Sequence, residues 1–187
     1  MKEDNAIDKL VPMLQNPASR NKAMAELMRL TKHTLYWHIR KMVLVHEDAD
    51  DVLQNTFVKA WQGIANFRGD SSLSTWLYRI ASNESLDFIS RQKRNGLSLD
   101  DDETKVAQAV ASRLESDPYF DGEETELQLQ QAIAQLPKKQ RLVFTMKYYD
   151  EMKYEEMSSV LGTSVGALKA SYHHAVQKIS TFFGLLD

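Results

Sequence analysis

The sequence predicts an all-α protein: two small helical domains joined by an acidic flexible linker, the C-terminal one a helix-turn-helix. Three observations predict it. Apolar residues recur three or four apart along several long stretches, the period of an amphipathic helix. Charge is partitioned along the chain: residues 1–98 carry 14 basic and 11 acidic side chains, residues 99–126 carry 2 and 10, and residues 127–187 carry 7 and 5. Near the C-terminus a short helical stretch, a glycine and a longer helical stretch follow one another, which is helix-turn-helix order.

A chain of 187 residues with 43% hydrophobic content can bury a core in two small domains. It has no cysteine, so neither disulfides nor a thiolate metal site are expected. No run approaches the roughly 20 apolar residues of a membrane span, and MKEDNAIDKL lacks the character of a signal peptide. A cytoplasmic protein without membrane insertion is expected. No phosphate-binding glycine loop, zinc set or nucleophile elbow occurs, so no catalytic residue, metal or cofactor is expected. The net charge of −3 hides two mildly basic segments around an acidic one, a weak form of the basic bias of nucleic-acid binders.

In chain order, residues 4–15 form a short helix. Asn16 then caps a long helix reaching about Val45, with Pro17 in its first turn, where a missing N–H costs nothing. Ala23, Leu27, Leu30, Thr34, Trp37 and Met42 supply its apolar stripe. His33 and His38, five apart, share no face and read as surface or boundary residues. Asp48 opens the next helix, residues 49–62, with an acidic first turn at Asp48, Asp50 and Asp51 that suits the helix dipole. The cluster around His46, Glu47 and Asp48 lacks calcium-loop spacing and reads as capping. Leu53, Phe57, Ala60, Trp61 and Ile64 face inward; Asp51, Gln54, Asn55, Val58 and Gln62 face outward.

The stretch from Leu73 to Arg94 contains no Pro or Gly and follows a tight loop, Arg68-Gly69-Asp70-Ser71-Ser72. Ser72 is placed to cap it. Leu73, Leu77, Ile80, Ala81 and Phe88 form a buried stripe into which Glu84 also falls. Trp76, Arg79, Asn83 and Asp87 line one flank. An aromatic, an arginine and an amide beside a polar loop suit an unstacked base, which offers a π-face and hydrogen-bonding edges. Asn95-Gly96 stops the helix. Residues 97–122 form the acidic linker, with only a faint helical pattern at 104–114.

Residues 123–136 resume a helical pattern with Leu127, Leu129, Ile133 and Leu136. Pro137 starts another helix, residues 138–149, with Leu142, Val143, Met146 and Tyr149 inward. Lys138, Lys139 and Arg141 sit at its N-terminal end, against the dipole, which points either to an external anion or to plain solvent exposure. A short helix, Tyr154–Leu161, stops at Gly162. Thr163 and Ser164 make the turn, and Ser164 caps a second helix with Leu168, Tyr172, Ala175, Val176 and Ile179 inward. Lys169, Ser171, His173 and His174 lie on or near its outward face, where a recognition helix meets the major groove.

Taken together, these segments resemble the extracytoplasmic-function group of bacterial RNA polymerase sigma factors. DADDVLQNTFVKAW (residues 48–61) is similar to the family's clamp-binding helix, and FRGDSSLSTWLYRIASNESLDFI (residues 67–89) to its −10 reading loop and helix. LPKKQRLVF (136–144) and YEEMSSVLGTSVGALKASYHHAVQKI (154–179) are similar to its −35 reading domain. The resemblance implies a region 2-like domain over residues 1–96 and a region 4-like domain over 123–187. The partners it implies are core RNA polymerase, promoter DNA and an anti-sigma factor. It places Asp51, Gln54 and Asn55 at the polymerase clamp. Arg68, Gly69, Asp70, Ser71, Ser72 and Asn83, flanked by Trp76 and Arg79, fall at the pocket for a base flipped from the −10 strand. Arg141, Thr163, Ser164, Lys169, Ala170, Ser171, His173 and His174 fall on the −35 side. The linker matches the segment that threads the polymerase. The recognition helix carries Ala-Ser-Tyr-His-His at 170–174 where the family often has arginines, which removes the commonest guanine contacts. The competing reading is a free-standing helix-turn-helix regulator, which would not need the segments at 48–61 and 67–94.

Overall fold

The computed structural model describes residues 6–94, 112 and 124–185, and all regular structure among them is helical. The linker over 97–122, Ser112 apart, and the stop at Asn95-Gly96 lie outside the described residues. We number the helices α1 (Val11–Gln15), α2 (Arg20–Val43), α3 (His46–Gly63), α4 (Leu73–Arg94), α5 (Glu124–Gln135), α6 (Lys138–Tyr148), α7 (Tyr154–Leu161) and α8 (Val165–Phe182). A 3-10 turn, Ile64–Asn66, continues α3.

The first corrections concern the N-terminal elements. The single helix expected over 4–15 is broken, because Pro12 occupies the start of α1, where its missing amide is tolerated. Asn16 does not cap α2. Its Oδ1 accepts from the Ala18 amide at 3.0 Å, making a local turn, and the helix begins only at Arg20. α2 ends at Val43, where Leu44 takes the left-handed conformation (φ 73°) and its amide still reaches the Arg40 carbonyl. α3 begins at His46 rather than after Asp48, with Val45 extended before it.

The core of the N-terminal bundle is built by α2, α3 and α4. α2 buries Ala23, Met24, Leu27, Thr31, Leu35, His38, Ile39 and Met42. The expected stripe is therefore corrected: Thr34 and Trp37 are exposed, and His38, read as a surface or boundary residue, is wholly buried. α3 contributes Ala49, Val52, Leu53, Phe57 and Ala60 as the period requires, but Trp61, expected inside, is 38% exposed with the Arg20 guanidinium over its ring. α4 buries Leu73, Leu77, Ala81 and Ile89, while Ile80 and Phe88 are only half-buried. Each wholly buried leucine contributes about 1.5–3 kcal/mol relative to exposure. Hydroxyls in these contacts bond their own helices: Thr31 to Leu27, Thr56 to Val52 and Ser85 to Ala81, all to carbonyls within 2.7–2.8 Å. That satisfies the polar atoms without disturbing the packing.

Glu84 is the polar residue that local patterning leaves unexplained. It is buried, and the Lys59 ammonium from α3 donates to its carboxylate. A carboxylate on an apolar face is thus neutralised by a long side chain whose own stem stays half in water.

In the C-terminal bundle, α5, α6 and α8 enclose Ile133, Leu136, Phe144 and Ala175. Phe144 stacks on Tyr172 (centroids 5.8 Å apart, planes at 15°). Val176, expected inward, is 37% exposed. The larger core runs on from the N-terminal bundle through Leu142, Val143, Met146, Met157, Val160 and Leu168, so the two bundles pack against each other.

Candidate nucleic-acid interface

The loop over 67–72 is held from three sides. Gln15 donates to the Phe67 carbonyl at 2.7 Å. The Phe67 ring packs on Trp76 with centroids 5.4 Å apart, and Trp76 lies so close over Gly63 that a Cβ there would sit 3.2 Å from the indole. At the far end, Ser72 Oγ accepts from the Thr75 amide at 3.1 Å, the cap that the sequence predicts. The next free amide, that of Leu73, donates to Asp8 at 2.7 Å. A carboxylate and a hydroxyl thus satisfy the start of α4, where the dipole favours negative charge. Asp8 could not have been found from sequence, being 65 positions away.

Between these anchors Arg68, Gly69 and Asp70 are exposed, and Gly69 takes φ 77° with open space around it. Asn83 is exposed further along α4. Trp76, read as a member of the open flank, instead buttresses the loop from beneath. Arg79, on the same flank, donates to the carbonyls of Ser159 and Val160 at 2.6 and 2.9 Å.

On α3, Asp51, Gln54 and Asn55 are exposed, as expected. Gln54 borders an apolar groove lined by Met24, Met28, Phe57, Val58 and Trp61. Met28 is 39% and Val58 48% exposed, so the groove is open to solvent rather than part of a sealed core.

The helix-turn-helix has the predicted punctuation. Gly162 ends α7 in the left-handed conformation (φ 62°), and Ser164 Oγ accepts from the Ala167 amide at 3.3 Å to start α8. Thr163, Ser164, Lys169, Ala170, His173 and His174 are exposed, and Ser171 is half-buried. Lys169 lies over the Tyr154 ring, 5.7 Å from its centroid.

Arg141 is corrected. It is expected on the −35 side but is buried, donating to the Met42 carbonyl at 3.2 Å and to the Ala134 carbonyl. Burial pulls its pKa down to about 10. Two of the three cations at the start of α6 thus have partners inside the chain: Lys138 donates to Ser90 Oγ at 2.5 Å, and Arg141 serves two carbonyls. The external anion considered from the sequence is not required to explain either.

His38 marks a site that the sequence reading missed. Its Nδ1 lies 2.6 Å from Asp150 Oδ2, and its Nε2 lies 3.1 Å from Ser82 Oγ. Lys41 approaches the other Asp150 oxygen at 3.4 Å. Burial alone would push the Asp150 carboxyl up. The His38 hydrogen bond and the charges of His38 and Lys41 outweigh it and hold the group below the usual carboxylate range.

A capped helix behind an exposed loop in one bundle, and a helix-turn-helix in the other, define a two-domain DNA-binding protein. Residues 27–95 match the family model for Sigma-70 region 2, and residues 126–179 match that for Sigma-70, region 4. The chain is 32% identical over 157 residues to the ECF RNA polymerase sigma factor SigW of Bacillus subtilis, covering 81% of this chain and 83% of the relative. It is 30% identical over 153 residues to the RNA polymerase sigma-H factor of Pseudomonas aeruginosa, covering 79% of each. Among solved structures, CnrH in complex with the cytosolic domain of CnrY aligns with a TM-score of 0.66 at 24% identity, over 95% of this chain and 97% of that one. The sigma factor RpoE in complex with the anti-sigma factor NepR from Bartonella quintana aligns with a TM-score of 0.64 at 20% identity, over 88% and 98%. At those identities the likeness is one of fold. The chain belongs to the extracytoplasmic-function sigma factors of RNA polymerase. It acts in transcription initiation, with core polymerase and promoter DNA as its partners, and its family is not in general an enzymatic one. Among the described residues, no helix is long and apolar enough to cross a membrane.

Proposed function

We propose that this chain reads a −10 element as single-stranded DNA with the loop Arg68-Gly69-Asp70-Ser71-Ser72 and with Asn83, Trp76 holding the loop in shape from behind. The observation that carries this is the pairing of an exposed loop with a doubly capped helix start. A rigidly held polar loop can accept a base only once it leaves the stack, so binding favours the opened duplex without chemistry. The α3 face bearing Asp51, Gln54 and Asn55, together with its apolar groove, supplies the polymerase contact. Thr163, Ser164, Lys169, Ala170, Ser171, His173 and His174 present the −35 surface. With histidines in place of arginines there, phosphate attraction is smaller and the polymerase contact carries more of the affinity.

We assign the region 2-like domain to residues 1–96 and the region 4-like domain to 123–187, with the acidic linker between. The likeness to a sigma factor solved with an anti-sigma factor supports such a partner here. No enzymatic activity is assigned, and the working compartment is the cytoplasm, where polymerase and promoters are. The test is in vitro transcription with core polymerase on a library of random promoter templates. New start sites preceded by a shared −35 and −10 pair are expected; no change in start sites overturns the assignment.

A further inference from the structure

Between Ala6-Ile7, α2 and the first turns of α4 lies a cavity of about 290 Å³. It shares no residue with the −10, −35 and polymerase faces. Its apolar wall is Ile7, Leu30 and Leu35 of α2, and Leu77 and Tyr78 of α4. Ile7, Leu35 and Leu77 are buried, whereas Ala6 and Thr34 at its edge are exposed, which leaves a way in from solvent. An apolar cavity of about 150 Å³ already stays dry and takes up benzene.

Ser74, in the part of the wall that α4 supplies, adds a polar feature. Its Oγ is buried and has no hydrogen-bond partner. Thr31, also in the wall, differs, because its hydroxyl donates to the Leu27 carbonyl at 2.7 Å. Folded proteins leave few buried hydroxyls unpaired. A water could meet Ser74, but it needs about two to four polar partners, and Ile7 and the three leucines offer none. A largely apolar molecule with one polar group suits both features. Its body covers the aliphatic wall, and its polar atom meets a hydroxyl that can donate or accept. Two sides of the cavity are also stitched together: the Leu73 amide, next to Ser74, donates to the carboxylate of Asp8, next to Ile7, at 2.7 Å. An occupant that touches Ile7 and Ser74 bridges the same two segments.

We propose that this cavity is a binding site for a small neutral molecule, bicyclic in size, mostly apolar and carrying a single hydrogen-bonding group. The site does not depend on the DNA and polymerase assignments, so its test is independent of theirs.

The full chain is titrated with indole and with indene, which match in size and differ in the ring N–H. The thermal midpoint should rise with either, by about 3–6 °C at ten times the dissociation constant. Amide hydrogen exchange should slow with indole over residues 73–78 and stay unchanged over 53–61, which border the open groove on α3. Ser74→Ala should lower the ratio of indole affinity to indene affinity by about 2–12-fold, the worth of one hydrogen bond. Leu30→Trp, which fills the cavity from α2, should abolish the response to both. The proposal is overturned by a midpoint that does not move with indole, by slowed exchange confined to 53–61, by an unchanged ratio in Ser74→Ala, or by a Leu30→Trp variant that still responds. Should Leu30→Trp lose its helical circular dichroism, Leu30→Phe replaces it, and the wild-type exchange pattern and Ser74→Ala still decide.

Discussion

Lys59 and Glu84 form a pair whose two halves should be unequal. The Glu84 side chain is 6% exposed and that of Lys59 is 53% exposed. Lys59→Ala leaves a carboxylate on the apolar face of α4 without its cation. Breaking a fully buried pair costs about 3–5 kcal/mol; water reaching the half-exposed side reduces this to about 2 kcal/mol. Glu84→Gln leaves an ammonium already in contact with water, a loss close to that of a surface pair, about 0.2–1 kcal/mol. For a chain of this size each kcal/mol shifts Tm by about 2–4 °C. Thermal melts followed by circular dichroism should therefore show a fall of about 4–8 °C for Lys59→Ala and no more than about 4 °C for Glu84→Gln. The double replacement Lys59→Met with Glu84→Leu should melt above Lys59→Ala, because an apolar pair has no charge left to desolvate. Equal shifts for the two single variants, or a larger one for Glu84→Gln, would refute the reasoning.

Three further outcomes are expected. Asn83→Ala should weaken promoter opening, read by permanganate footprinting, more than binding of closed duplex, read by gel shift; equal losses would remove Asn83 from the base pocket. Lys169→Ala should lower affinity for −35-containing duplex across sequences and reduce the slope of log affinity against log salt by about 1; an unchanged slope would mean no phosphate contact. Because the folded Asp150 pKa lies below its unfolded value near 3.9, its contribution to stability is complete above that value and is lost as pH falls through the lower, folded one. The stability gap between wild type and Asp150→Asn should begin to narrow as pH falls below about 4 and should close only below the lower, folded value. A gap that persists in acid would contradict the sign.

What was legible in the sequence was local. The bounds of α4 follow from an unbroken run without Pro or Gly and from Ser72, and the helix-turn-helix follows from Gly162 and Ser164. These signals act over three or four residues, and the structure realises each of them. The misses share a different cause. His38 is buried because Asp150, 112 positions away, receives it. Arg141 turns inward because the Met42 carbonyl, 99 positions away, accepts from it. Glu84 looks misplaced until Lys59 arrives from another helix. Periodicity assigns a histidine, an arginine or a glutamate to the surface on cost alone, and it carries no information about a distant partner that cancels the cost. The same holds for Trp76, whose direction is set by Phe67 and Gly63 rather than by its place on the helical flank.

The hydrogen bond from the Leu73 amide to Asp8 gives the segment around Asp8 leverage over the start of α4 and the loop before it. A replacement that removes the Asp8 carboxylate leaves the Leu73 amide in the first turn of that helix without its partner. The geometry of the 67–72 loop is thus answerable to a carboxylate 65 positions away, so a truncation that removes Asp8 should change the loop even though it leaves every residue of the loop in place.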